Sequence, residues 1–140
     1  MAQFDIHTRL LGVPALNPQT ISSDTTTAGA IIDMQGYEAL EFFIQSGTIT
    51  TGVFTPLLQH GDDSGLSDVA TVPSDFVLGT IADATFTVAA ADDNAVKKIG
   101  YVGKKRYVRL SIVTTSTGNG AIGAIAVKGH IKSAEIDALT

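Results

Sequence analysis

Short runs of alternating apolar and polar residues recur along the whole chain, broken at close intervals by Gly, Pro, Asn and Asp. A period of two in segments rich in Val, Ile and Thr marks strands with one face buried. The pattern predicts strands near Phe4–Val13, Ala28–Met34, Ala39–Ser46, Val53–His60, Phe76–Leu78, Thr85–Ala89, Ala95–Val102, Lys105–Thr115 and Ala121–Lys132. The expected fold is all-β, a two-sheet antiparallel β-sandwich with an extended N-terminal segment, and a jelly roll is among the topologies it allows.

Tyr37–Gln45 also fits a helix, because Tyr37, Leu40, Glu41 and Ile44 have helical spacing. The alternation of Leu40, Phe42 and Ile44 with Ala39, Glu41, Phe43 and Gln45 favours a strand. Phe43 is then an apolar residue on the wetter face, set to meet the edge of the second sheet or a partner, or to be buried for structural reasons.

The last third allows a more detailed expectation. Val108, Leu110 and Ile112 share one face of a strand, with Lys105, Tyr107, Arg109 and Ser111 on the other. Further on, Ile125, Val127 and Ile131 oppose Ala124, Ala126, Lys128, His130 and Lys132. A two-residue turn at Gly118–Asn119 would pair the two strands as a hairpin, with Arg109 opposite Lys128 and Lys105 opposite Lys132. Like charges in direct opposition cost up to about 1 kcal/mol per pair, so such a stripe needs acidic relief. Acids from the same subunit or from a neighbouring protein surface could supply it.

The charge balance sharpens this point. Residues 1–96 hold one basic against twelve acidic residues, and residues 97–140 hold eight against two. With a net charge of −5 and a pI near 4.9 the chain is no general nucleic-acid binder. Lys97, Lys98, Lys104, Lys105, Arg106 and Arg109, interleaved with Tyr101 and Tyr107, form the one local exception.

At 140 residues and 44% hydrophobic the chain fits one domain: a strand or arm over 1–27, holding Pro14, Pro18 and the polar run Thr20–Thr27, then a sandwich over 28–140. No apolar run approaches the ~20 residues that span a bilayer, and the N-terminal residues do not read as a secretory signal, so neither a membrane contact nor export is expected.

No catalytic constellation is legible. The absence of cysteine excludes disulfides and thiolate chemistry. Gly61-Asp-Asp-Ser-Gly65 lacks the spacing of a serine protease motif, and His7, His60 and His130 share no metal-binding spacing. Asp62, Asp63 and Asp68, and Asp92–Asn94, offer oxygen ligands without the spacing of a calcium loop. The expectation is a non-enzyme without cofactor or metal.

Four segments carry a resemblance: Asp33–Leu40, Leu57–Asp68, Lys98–Leu110 and Gly123–His130. Over roughly Asp24 to His130 the chain resembles small proteins encoded among the structural genes of tailed bacteriophages and prophages. For a β-rich chain of this size the resemblance implies a capsid decoration, or cement, protein. Such a protein is made in the host cytoplasm and binds in many copies to the outside of the major capsid shell, as a homo-oligomer and most often a trimer. The expected partner is the major capsid protein, and Lys105, Tyr107, Arg109, Lys128, His130 and Lys132 are the candidate contact residues. The alternative is a tail or fibre-associated sandwich that recognises host glycan.

Overall fold

The computed structural model describes residues 5–131. Two very long strands organise it, Tyr37–Gly61 and Tyr107–Ile131, each of 25 residues and paired antiparallel from Tyr37↔Ile131 to Gly61↔Tyr107. Straight strands of that length would run roughly 80 Å, about twice the diameter of a domain this size. Both therefore bend double at their midpoints. The register slips between Ser46 and Val53, where Gly52 takes φ +90°, and opposite it Ser116 and Thr117 take φ +61° and +58°.

Numbered in chain order, the strands are β1 (Leu11–Ile21), β2 (Thr26–Asp33), β3 (Tyr37–Gly61), β4 (Ala70–Thr71), β5 (Val77–Leu78), β6 (Val96–Tyr101) and β7 (Tyr107–Ile131). One half-sheet has the order β1-β7-β3-β6-β5, built on the C-terminal half of β7. The other has the order β2-β7-β3-β4, built on its N-terminal half. The halves close over one core as an all-β antiparallel sandwich. Polar groups hold the bend: Asp24 accepts the amide hydrogens of Thr117 and Gly118, at 3.1 and 2.9 Å, and the Thr51 hydroxyl donates to the Thr117 carbonyl at 2.6 Å.

The expected hairpin is corrected here. Gly118 and Asn119 do not close a turn. They sit at the bend of a single strand, so Tyr107–Thr115 and Ala121–Ile131 lie in succession along β7 and pair with β3 instead of each other, with Lys105 just before the strand. Arg109 is opposite Gln59 and Lys128 opposite Leu40; the predicted Arg109–Lys128 opposition does not exist. Lys132 lies outside the described residues, and so does its expected opposition to Lys105.

Val108, Leu110 and Ile112 are fully buried, as their alternation predicts. In the second half of β7 the expected facing is reversed. Ala124 and Ala126 are buried while Ile125 is 52% exposed. Volume explains the choice: Ala126 pairs with Phe42 and Ala124 with Ile44, so small side chains stand beside bulky ones in the core.

Tyr37–Gln45 is strand throughout, within β3. Pro14 and Pro18 lie within β1, at the edge of its half-sheet, where a missing N–H disrupts no inner ladder. Thr85–Ala89 forms no strand. Its ladder contact is the bridge Phe54↔Phe86, and the Ser46 hydroxyl binds the Asp92 carbonyl nearby.

Candidate functional site

Because β3 and β7 double back, their termini meet at one end of the sandwich, and that end collects most of the predicted contact residues. Lys105 pairs with Asp62 at 2.6 Å. Arg106 grips Asp33 through Nε and an Nη, at 2.9 and 3.0 Å, and lies 5.0 Å over the Tyr107 ring. The Lys128 ammonium donates to the Asp33 carbonyl at 3.1 Å and sits 4.8 Å over Tyr37. His130, at φ +53°, meets Glu38 at 2.9 Å. Arg109, further in along β7, donates to the Gln59 side-chain oxygen at 2.9 Å.

The stripe is therefore a mosaic of compensated charges. Solvent screens exposed pairs of this kind, so they shape a surface more than they stabilise a fold. The Arg106 hydrogen bonds hold the Asp33 carboxyl below its usual range, and Asp62 raises Lys105. Charge segregation was visible in the sequence; its internal neutralisation comes from the pairing of β7 with β3 and β2, whose register sets Asp62, Asp33 and Glu38 beside the basic residues.

Behind this end lies the most buried polar contact between the half-sheets. His60 on β3 and Tyr101 on β6 are 8% and 3% exposed, and His60 Nδ1 is 2.8 Å from the Tyr101 hydroxyl. The Lys105 amide donates to that same oxygen at 3.1 Å. With that oxygen already accepting from the amide, the arrangement favours the phenol as donor to Nδ1, the assignment that suits a neutral His60 with its own proton on Nε2. Burial lowers the His60 pKa, with the Lys105 charge adding to the effect.

The unfolded chain therefore binds this proton more readily than the folded one. The stability His60 confers is complete above its ordinary pKa near 6.5 and is lost as pH falls from there through the lowered folded value. Urea midpoints at pH 7.5 and 5.5 should differ in the wild type and differ by less in His60→Gln, where the His130–Glu38 pair is still present. Carboxylates held low, such as Asp33, act only below about 3.8, outside that window. Equal slopes for the two proteins would contradict the assignment.

The acidic loops are internally satisfied. Asp68 accepts the amides of Asp62 and Asp63, and Asp63 those of Gly65 and Ser67, which keeps both carboxyls low. Asp92 pairs with Lys97 at 2.8 Å. No group of three potential metal ligands occurs among the described residues. Tyr101 is buried and Lys97 engaged, so the tyrosine-lysine interleaving does not form an open stacking platform.

The feature the sequence reading missed is apolar. A groove of about 960 Å³ runs across the outer face of the first half-sheet, lined by Val13, Pro14, Pro18, Phe43, Val96 and Ile125 among others, with no charged residue in the lining. Val96 is 59% exposed. Phe43 had given the signal, as an apolar residue on the wetter face, and it stands half-buried in this groove.

No protein-family model matches the chain, and no curated protein does. Solved structures give likeness of fold. The infectious bursal disease virus VP2 subviral particle matches with TM-score 0.52 and 16% identity, over 87% of this chain and 32% of that one. The chain thus spans about a third of the viral protein, and at this identity the likeness establishes a shared β-sandwich architecture. A Bacillus endospore appendage protein, from a family of disulfide-linked pili, matches with TM-score 0.47 and 13% identity, over 89% of this chain and 90% of that one.

Proposed function

We propose that this chain is a non-enzymatic structural protein of a tailed-phage virion that binds the outside of the major capsid shell in many copies and stabilises it. The observation that carries this reading is how the surface is divided. The polar clusters among the described residues are consumed by internal hydrogen bonds and ion pairs, while a broad sheet face is left apolar and open. That division suits a protein that works by contact. The segment resemblance supports a phage structural protein, and the sandwich shared with a viral capsid protein agrees with it. Bound preferentially to the mature shell, such a protein lowers that state's free energy by mass action, and many copies add their effects.

The mixed-charge end, with Lys105, Tyr107, Arg109, Lys128 and His130, is the proposed capsid-facing surface, and Lys132 belongs to the same proposal. Association of copies is part of it. The glycan-binding alternative gains no support, since Tyr101, one of its two aromatic candidates, is buried.

Cryo-electron microscopy of the intact particle tests the role: density over the head is expected, and density confined to the tail or baseplate overturns it. Lys105→Glu with His130→Glu should lower the unfolding midpoint only slightly, because both side chains are exposed and solvent screens the new like-charge contacts with Asp62 and Glu38, yet weaken binding to isolated capsids. Unchanged capsid binding would remove this end as the docking surface.

A further inference from the structure

The outer face of the first half-sheet has an order that the groove alone does not convey. Register places Pro14, Ile125, Phe43 and Lys98 in one row across β1, β7, β3 and β6. The adjacent row is Gly12, Val127, Glu41 and Gly100, ending at Leu78 on β5. Gly100 leaves room over which the Glu41 carboxylate lies: a Cβ there would sit 2.5 Å from Oε2 and 2.9 Å from the Leu78 Cβ. Leu78 and Ile125 are each 52% exposed.

Within these two rows the charged residues are one acid and one base, Glu41 and Lys98, and neither forms a salt bridge among the described residues. Partial burial raises the Glu41 carboxyl, and the nearby Lys98 charge only partly offsets this. The face therefore holds an apolar centre with one unmatched charge of each sign beside it.

We propose that this face packs against the same face of a second copy of the chain, about a two-fold axis passing by Phe43 and Ile125. The position of the axis follows from strand geometry. Lys98 is directly across from Phe43, and Glu41 is two residues from Phe43 on the same side of β3. Given about 4.8 Å between strands and about 3.3 Å per residue, a two-fold that exchanges Glu41 with Lys98 leaves Phe43 and Ile125 close to the axis, each near its own symmetry mate. The apolar centre meets itself, and each Glu41 meets the Lys98 of the other copy. Two sheets stacked face to face at ~10 Å leave space for such side chains to interdigitate. The footprint, roughly 20 Å on a side, is that of a modest interface, with a charge-free middle and a charged rim.

This contact does not rest on the capsid role. A dimer in solution without affinity for capsids would leave it standing, and capsid binding by a protein that is monomeric at every concentration would not rescue it.

Sedimentation equilibrium of the full chain tests it. The wild type should show a concentration-dependent dimer, and Ile125→Glu should weaken it roughly thirtyfold or more while the unfolding midpoint stays high. Glu41→Lys and Lys98→Glu should each weaken self-association. Mixed together, the two single variants should form a heterodimer, because every contact across the axis then joins opposite charges; attraction confined within one chain predicts no gain on mixing. A wild type that remains monomeric, a dimer indifferent to Ile125→Glu, or a mixture no more associated than its components overturns the proposal.

Discussion

Gly52→Ala is expected to destabilise the protein by about 3 kcal/mol or more, a large share of the ~5–15 kcal/mol that separates folded from unfolded domains. Two costs combine at this position. At φ +90° an L side chain already loses roughly 1–2 kcal/mol or more against glycine. The added Cβ would stand 2.3 Å from the Gly118 Cα and 2.7 Å from the Thr115 carbonyl oxygen. Those are backbone atoms of β7 at its own bend, so relief requires the two long strands to part where they fold over. Overpacking of this kind adds about 1–3 kcal/mol. For a chain of this length the thermal midpoint should fall by roughly 10 °C.

Gly12→Ala provides the control, since a Cβ there meets nothing within 4 Å; its expected effect is within about 0.5 kcal/mol. Calorimetry or urea unfolding of both variants decides the matter. If Gly52→Ala unfolds like the wild type, the bend does not depend on this glycine.

That bend also explains what could and could not be read from the sequence. Period-two alternation located the strands of the core, and Val108, Leu110 and Ile112 face inward as their spacing demands. What alternation cannot carry is whether two successive runs are a hairpin or one folded strand. Gly118-Asn119 has the composition of a tight turn, yet Ser116 and Thr117 take the left-handed conformations and Asp24, almost a hundred residues earlier in the chain, accepts the amide hydrogens of Thr117 and Gly118. A partner so distant leaves no local trace.

The same limit inverted the far half of β7. Ile125 and Val127 are the larger aliphatics, and size alone would send them inward, but Phe42 and Ile44 fill the core opposite Ala126 and Ala124, so the alanines take the inner face. The apolar outer face followed from that inversion, and Phe43 was the one residue whose sequence position hinted at it. The candidate basic residues were legible as a group, because composition alone sets charge segregation. Their neutralisation by Asp62, Asp33 and Glu38 was not, since it depends on which strands pair and in what register: β3 and β2 bring these acids beside the two ends of β7, where the expected hairpin would have set the bases against one another.

Phe54→Ala should cost about 3–5 kcal/mol, the range for removing a fully buried aromatic side chain. The structure adds a more specific expectation. The tip of the Phe54 ring fills the hollow left by two glycines of β7: a Cβ on Gly120 would lie 3.0 Å from Phe54 Cζ, and one on Gly118 would lie 3.6 Å from it. Gly120→Ala alone therefore crowds the ring and destabilises. In the Phe54→Ala background the same methyl enters a cavity and should recover part of the loss.

A double-mutant cycle should yield a coupling of ~1 kcal/mol or more, with the double variant more stable than the sum of the single effects implies. Hydrogen exchange separates this cavity effect from a second one. The Phe54 backbone exchanges hydrogen bonds with Phe86, at 2.9 and 3.0 Å, pinning the connection between β5 and β6. If only the cavity matters, the Phe86 amide keeps its protection relative to global unfolding. If the ring also holds the bridge in place, that amide should exchange by local opening in Phe54→Ala and regain protection when Gly120→Ala is added. Strict additivity of the two substitutions would show that the aromatic ring and the glycines opposite it do not form one packing unit.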